Sequence, residues 1–239
     1  MIEKALKYLV NLAEAQIHHV DGQAYSDKEL HRISYNPKAS EIEMNTLSSL
    51  VEYIKANIDT MAGHMIVHVK SPTCVALYSA LDDERKREHM VEVLANVPSF
   101  PFERFFEHEQ FCINLQSKFV ECEDTDKALL LKFAGTVESG TVAEYGDDGV
   151  SQKATIKTGI ASKDEAVIPS PAVLMPYRTF VEVQQPTSQF IFRMRNSHNG
   201  VECALFEADG GAWKIEAMDS IKAYLKEQLK DVEGFTVIS

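Results

Sequence analysis

Apolar residues at Ile2, Leu6, Leu9 and Ala13, with Ala5 and Leu12 beside them and Lys4, Lys7 and Glu14 elsewhere, recur at helical spacing. They predict an amphipathic first helix. From residue 18 to about residue 40 the pattern lapses, because Gly22, Asn36 and Pro37 interrupt a polar stretch with too few periodic apolar positions for a long element. This stretch is read as an arm. Helical spacing returns at Leu47, Leu50, Val51, Ile54 and Ile58, with Asn45 or Thr46 as the N-cap. Met65, Val67 and Val69 then alternate, Ser71-Pro72 turns, and residues 74–78 return, which predicts a hairpin. After a charged run at 82–88, His89, Val91, Val93 and Ala95 alternate with Met90, Glu92 and Leu94 as a third strand; a helix over 83–95 competes with it.

Pro98 and Pro101 break the chain, and two helical stripes follow: Phe111, Cys112, Leu115 and Phe119, then Leu129, Leu130, Phe133 and Val137. Residues 142–159 and 173–207 are rich in Thr, Val, Phe and Ile and interrupted by Gly, Pro and Asn, which predicts a largely antiparallel sheet. Its plainest part is a hairpin over 189–207, in which Phe190, Phe192 and Met194 alternate, Asn199-Gly200 supplies the positive-φ pair of a type I′ turn, and Val201, Cys203 and Leu205 return. Asp209-Gly210-Gly211 opens a final helix with Trp213, Ala217, Ile221, Leu225 and Leu229 on one face, and residues 235–238 form a closing strand. The chain therefore reads as an α+β protein, mainly antiparallel sheet, with helices at the N-terminus, in the middle and at the C-terminus. Residues 1–40 form a helix and polar arm, and residues 41–239 a single domain with a subdivision near residue 140.

Composition narrows the function classes. Hydrophobic residues make up 45% and charged residues 25% of the 239, which is ordinary for a globular chain. Lys plus Arg number 24 against 36 Asp plus Glu, and the net charge of -12 repels phosphate backbones and anionic lipid faces. A general nucleic-acid binder is disfavoured. Cys74, Cys112, Cys122 and Cys203 show no Cys-x-x-Cys spacing, no basic segment followed by an apolar one opens the chain, and no apolar run approaches the roughly 20 residues that cross a bilayer. The expectation is a cytoplasmic protein without a membrane span.

Candidate chemistry is sparse. In Gly146-Asp147-Asp148-Gly149-Val150-Ser151-Gln152, glycines permit close backbone approach while two carboxylates hold a cation or accept hydroxyl protons; the same residues also make an ordinary tight turn between strands. Gly146, Asp147, Asp148, Gly149, Ser151 and Gln152 are therefore the candidate ligand residues. His64 and His68 fall on one face of a strand with His89 on a neighbouring strand, a set that would converge on zinc only in the right register. The bland reading is three sheet histidines, and no metal or cofactor is expected. Asp82-Asp83-Glu84, and Glu103, Glu107 and Glu109 around His108, offer acid–base pairs or, more simply, solvated faces. Lys157-Thr158-Gly159 lacks the Ser-x-x-Lys nucleophile its chemistry needs, and nucleotide-binding glycine loops and the Gly-x-Ser-x-Gly elbow are missing from the sequence. Phe190 and Phe192 alternate with Arg193 and Arg195, so the two pairs face opposite sides of their strand, as core and rim. Phe100, Phe102, Phe105 and Phe106 make either an exposed partner patch or a packed connector.

The order of elements, together with Asn45-Thr46-Leu47, the 146–152 loop before Lys157-Thr158-Gly159, Pro176-Tyr177-Arg178-Thr179-Phe180, the Phe190-Ile191-Phe192-Arg193-Met194-Arg195 strand and Phe206-Glu207-Ala208-Asp209-Gly210-Gly211-Ala212-Trp213, resembles the phage and prophage family represented by the enterobacterial YfdQ protein, in its Firmicutes-phage branch. The resemblance runs from about residue 42 and is closest over 146–230. It implies a phage-infected or lysogenic bacterial cytoplasm and a role in the early or DNA-metabolism stage, and it carries over no catalytic residue. The function expected is a non-catalytic accessory protein, a self-assembling interaction module with an acidic surface that docks a host or phage component. The alternatives are a metal- or nucleotide-dependent enzyme using the 146–152 loop, and a protein that sequesters a small nucleotide ligand there.

Overall fold

The computed structural model describes residues 2–13, 15–29, 38–61, 63–82, 84–139, 141–147, 152–158, 162–167, 170–198 and 200–239. The chain divides into two compact units, Met1–Ala39 and Ser40–Ser239.

The first unit begins with the expected amphipathic helix α1 (Ile2–Ala13). Its arm is more ordered than its composition suggests, since β1 (Ile17–Val20) and β2 (Gln23–Ser26) pair as an antiparallel hairpin. Asp21 and Gly22 both adopt positive φ, 51° and 78°, as a two-residue hairpin turn requires. Strands of four residues give too few alternations to stand out from a polar background. All eight strand residues are exposed.

The second unit is α+β. It runs β3 (Ile42–Met44), α2 (Leu47–Ala56), β4 (Met65–Ser71), β5 (Cys74–Tyr78), β6 (His89–Leu94), β7 (Phe106–Glu107), α3 (His108–Lys118), α4 (Lys127–Ser139), β8 (Thr141–Asp147), β9 (Gln152–Thr158), β10 (Ser162–Val167), β11 (Ala172–Leu174), β12 (Ser188–Ser197), β13 (Gly200–Glu207), α5 (Trp213–Gln228) and β14 (Phe235–Ile238). A five-stranded sheet has the order β14-β4-β5-β6-β3, a four-stranded sheet β11-β12-β13-β7 and a three-stranded sheet β10-β9-β8. The last two are antiparallel throughout, whereas the first is mixed: β14 runs parallel to β4, and β3 parallel to β6. The alternating residues 89–94 are strand, so the competing helix does not form.

Two cores result. Leu47, Leu50, Val51 and Ile54 of α2 and Ile221 and Leu225 of α5 close over the inward residues of β4, β5 and β6. Thr46 caps α2, its hydroxyl accepting from the Ser49 N–H at 3.2 Å, and Asn57 ends it in the left-handed region at φ 45°. The other core is aromatic: Phe111, Leu115 and Phe119 of α3 and its end, with Leu130 and Phe133 of α4, meet Phe190, Phe192, Met194, Cys203 and Leu205 of β12 and β13. Phe100 and Phe102 belong to this core, Phe102 stacking on Phe190 at 5.2 Å between ring centroids, so the phenylalanine cluster packs as a connector. Lys127, buried at the start of α4, donates to the Phe119 carbonyl at 2.8 Å and satisfies a backbone acceptor just past α3. The β12–β13 hairpin forms as the alternation predicts, but with its register moved by one residue. Ser197 pairs with Gly200, so Gly200, at φ 112°, opens the returning strand; Asn199 lies outside the described residues.

Candidate functional site

The loop singled out by its glycines and aspartates joins β8 to β9. Asp147 pairs with Gln152 and Gly146 with Lys153, so the described residues of the loop are the ends of a hairpin. Asp148, Gly149 and Ser151 lie outside the described residues. The three candidate histidines take separate places on the five-stranded sheet. His64 precedes β4 and shares a 2.5 Å hydrogen bond with the Thr236 hydroxyl of β14. His68 lies opposite Ala76, and His89, on β6, stacks on Tyr78 at 4.8 Å. Because β5 separates β4 from β6, two strand spacings of about 4.8 Å keep His68 and His89 apart, too far for a shared zinc with bonds of about 2 Å. Among the described residues no group of three His, Cys, Asp or Glu side chains is arranged to hold a metal ion.

The charged clusters have local roles. The Asp82 carboxylate accepts the N–H groups of Glu84 and Lys86, at 3.0 and 2.7 Å, and so shapes the β5–β6 loop. His108 opens α3, with its Nε2 3.6 Å from the Cys112 sulfur one turn later. Phe190 and Phe192 are buried in the core; Arg195 lies at the rim, paired with Glu202 at 2.7 Å and over the Phe105 ring at 4.0 Å.

What sequence reasoning missed is a buried polar junction in the irregular segment between β11 and β12. A buried segment without sheet or helix partners must satisfy its backbone by other means. Gln185 does this: its side-chain oxygen accepts the N–H groups of Arg178 and Thr179, at 2.8 and 3.1 Å, and its amide donates to the Phe180 carbonyl at 3.0 Å. Thr179 donates from its hydroxyl to the Pro72 carbonyl at 2.5 Å, and Phe180 is buried in the aliphatic core, so the segment ties the four-stranded sheet to the five-stranded one.

Arg178, only 7% exposed, stands at the centre. Its Nη1 donates to Glu207 at 2.7 Å, its Nη2 donates to the Ser188 hydroxyl, and its guanidinium lies over the Trp213 ring at 4.1 Å. Burial pulls the Arg178 pKa down to about 10, against the stabilising charges of Glu207 and Asp209. Ser188 donates in turn to Asp209 at 2.5 Å, and the Gly211 N–H donates to the same carboxylate at 2.9 Å. Burial alone would raise the Asp209 carboxyl, but the hydrogen bonds from Ser188 and Gly211, with the Arg178 charge, hold it below the usual carboxylate range. Segments 176–180 and 206–213 thus meet at one point, with the Phe190 ring 5.6 Å from the Arg178 guanidinium. Their chemistry is that of a lock: two of the guanidinium nitrogens have acceptors and the group is stacked on an aromatic ring, while its buried Nε has no partner among the described residues. The signal in the sequence was a lone arginine between Pro176 and Phe180, which has no meaning until Glu207 and Trp213 are placed beside it.

Apolar residues are also exposed in the first unit. Ile2 is 79%, Leu6 56% and Tyr8 65% exposed on α1, and Ile17, Val20 and Tyr25 are exposed on its hairpin. A 12-residue helix and a two-stranded hairpin are each marginal in water.

No helix among the described residues is long and apolar enough to cross a membrane. No protein-family model matches the chain, and neither a curated protein nor a solved structure matches it.

Proposed function

We propose that this protein is a non-catalytic interaction module that assembles with itself through its N-terminal unit and presents an acidic body to a host or phage component. The reading includes its setting as a phage or prophage accessory protein of the early or DNA-metabolism stage, in the cytoplasm of an infected or lysogenic bacterium. That setting is supported by the family resemblance alone. Assembly is supported by one observation, the exposed Ile2, Leu6, Tyr8, Ile17, Val20 and Tyr25 of a unit whose elements are each marginal in water on their own. The body, by contrast, has closed cores and a charge that disfavours both phosphate and anionic lipid.

Light scattering on the full chain after size exclusion tests the proposal. The expected mass at micromolar concentration is a multiple of 26.8 kDa, reduced by Leu6→Glu. A wild-type monomer overturns it.

A further inference from the structure

We propose that Lys70 is a modification site that takes acyl groups from thioesters, loaded through Cys74, with Glu92 holding the two groups together. The three residues come from neighbouring strands. Val67 and Val69 of β4, Val75 and Leu77 of β5, and Val91 and Val93 of β6 turn inward to the aliphatic core, so Lys70, Cys74 and Glu92, at the alternate positions, share the other face of the sheet. The Lys70 ammonium donates to Oε1 of Glu92 at 2.8 Å, and the Cys74 thiol donates to the same oxygen at 3.6 Å. One carboxylate oxygen thus gathers a nucleophilic sulfur and a nucleophilic nitrogen. The turn that joins their strands is fixed by the Thr73 N–H, which donates to the Ser71 hydroxyl at 3.2 Å. Cys74 is half-buried, and the Lys70 side chain is 37% exposed, so a small acyl donor reaches both from solvent.

The chemistry is an exchange followed by a transfer. The Cys74 sulfur attacks the carbonyl carbon of an acyl thioester; a new C–S bond forms, the old one breaks, and the Cys74 proton leaves with the departing thiol. The Lys70 nitrogen, its extra proton passed to water, then attacks the same carbon. A C–N bond forms, the Cys74 C–S bond breaks, and an amine proton returns to the sulfur. The products are an amide on Lys70, a restored Cys74, one free thiol and one proton, with no oxidant required. Lys70 holds its proton more tightly than usual through the hydrogen bond to Glu92, and Cys74 does so through burial, which the Lys70 charge partly offsets. Both effects slow the reaction. Intramolecular delivery acts the other way and is larger, since effective concentrations can reach about 10⁵ M. The amide removes the Lys70 charge and with it the ion pair to Glu92. This is one covalent change per chain, without turnover, and it is independent of the assembly proposed above.

The test is incubation of the full chain with acetyl-coenzyme A in mildly alkaline buffer, with acetylation of each lysine followed by mass spectrometry of its peptide. Lys70 should react about tenfold faster than Lys86 and Lys230, which are likewise paired with glutamates, Glu84 at 2.9 Å and Glu227 at 2.7 Å. Cys74→Ala and Cys74→Ser should each lower the Lys70 rate to theirs, and Lys70→Arg should leave a hydroxylamine-labile acetyl group on Cys74. Urea midpoints identify the cysteine variant that keeps the native fold. A wild-type Lys70 rate no higher than those of Lys86 and Lys230, or a rate unchanged in that folded variant, overturns the inference.

Discussion

The two units spend the same kind of residue in opposite ways. In the second, Leu, Val and Phe side chains at regular spacing are drawn to the inner faces of two sheets and disappear from solvent. In the first, Ile2, Leu6, Ile17 and Val20 are exposed on one helix and one hairpin that do not by themselves make a two-layer core. Periodicity thus states that a face must be buried without stating what buries it. The body supplies its own answer, and for the arm the period alone leaves the question open.

The contrast can be broken or sharpened by substitution. Phe190→Ala, at the centre of the aromatic core, is expected to destabilise the body by about 3–5 kcal/mol, whereas Leu6→Ala should leave the body's urea transition within about 0.5 kcal/mol. Equal effects on that transition would erase the distinction between the units. Arg178→Met should cost about 1–3 kcal/mol, since it takes the donor from the buried Ser188 hydroxyl, whereas the exposed Glu207 is taken up by solvent. Adding Glu207→Gln should recover part of the loss, and a double-mutant cycle measures how much of the junction is coupled. Strict additivity would show that Arg178 packs against Trp213 without the ion pair mattering.

Smaller effects probe single backbone groups. Gln185→Leu leaves the buried N–H groups of Arg178 and Thr179 without an acceptor, for an expected loss of about 1–3 kcal/mol by chemical denaturation. Thr46→Ala removes the α2 cap and should cost about 1 kcal/mol. Asp209 gives the smallest effect, read as a pH dependence. Its carboxyl is held below the ordinary range, so the unfolded chain takes up this proton first as the pH falls. Its contribution is present at neutral pH and is lost as acid reaches the folded-state value. The stability of Asp209→Asn should therefore fall less steeply in acid than that of the wild type.

Much of the architecture was legible where local physics dominates. The α2 stripe, the β4–β5 hairpin, the β6 alternation and the α5 face all follow from one period or the other, because each element buries one face against a continuous layer. Short edge pieces escaped, as with β3 and β7, since two or three residues cannot display a period. The β12–β13 hairpin follows its alternation, but Gly200 lies in the returning strand where the sequence reading had it in the turn, because cross-strand packing of Phe192 with Leu205 and Met194 with Cys203 fixes the pairing. The candidate loop at 146–152 was visible as composition alone, and its described ends are those of a hairpin.

The sequence by itself determined the longer helices and strands, the net negative charge and the poverty of catalytic signatures, since these depend on spacing and summed charge. Only the tertiary structure decided that His64, His68 and His89 stay apart and that Arg178, Gln185, Ser188, Glu207, Asp209 and Trp213 come together. Such meetings depend on strand order and on the path of a buried connection. They join residues tens of positions apart, and no local period encodes that distance.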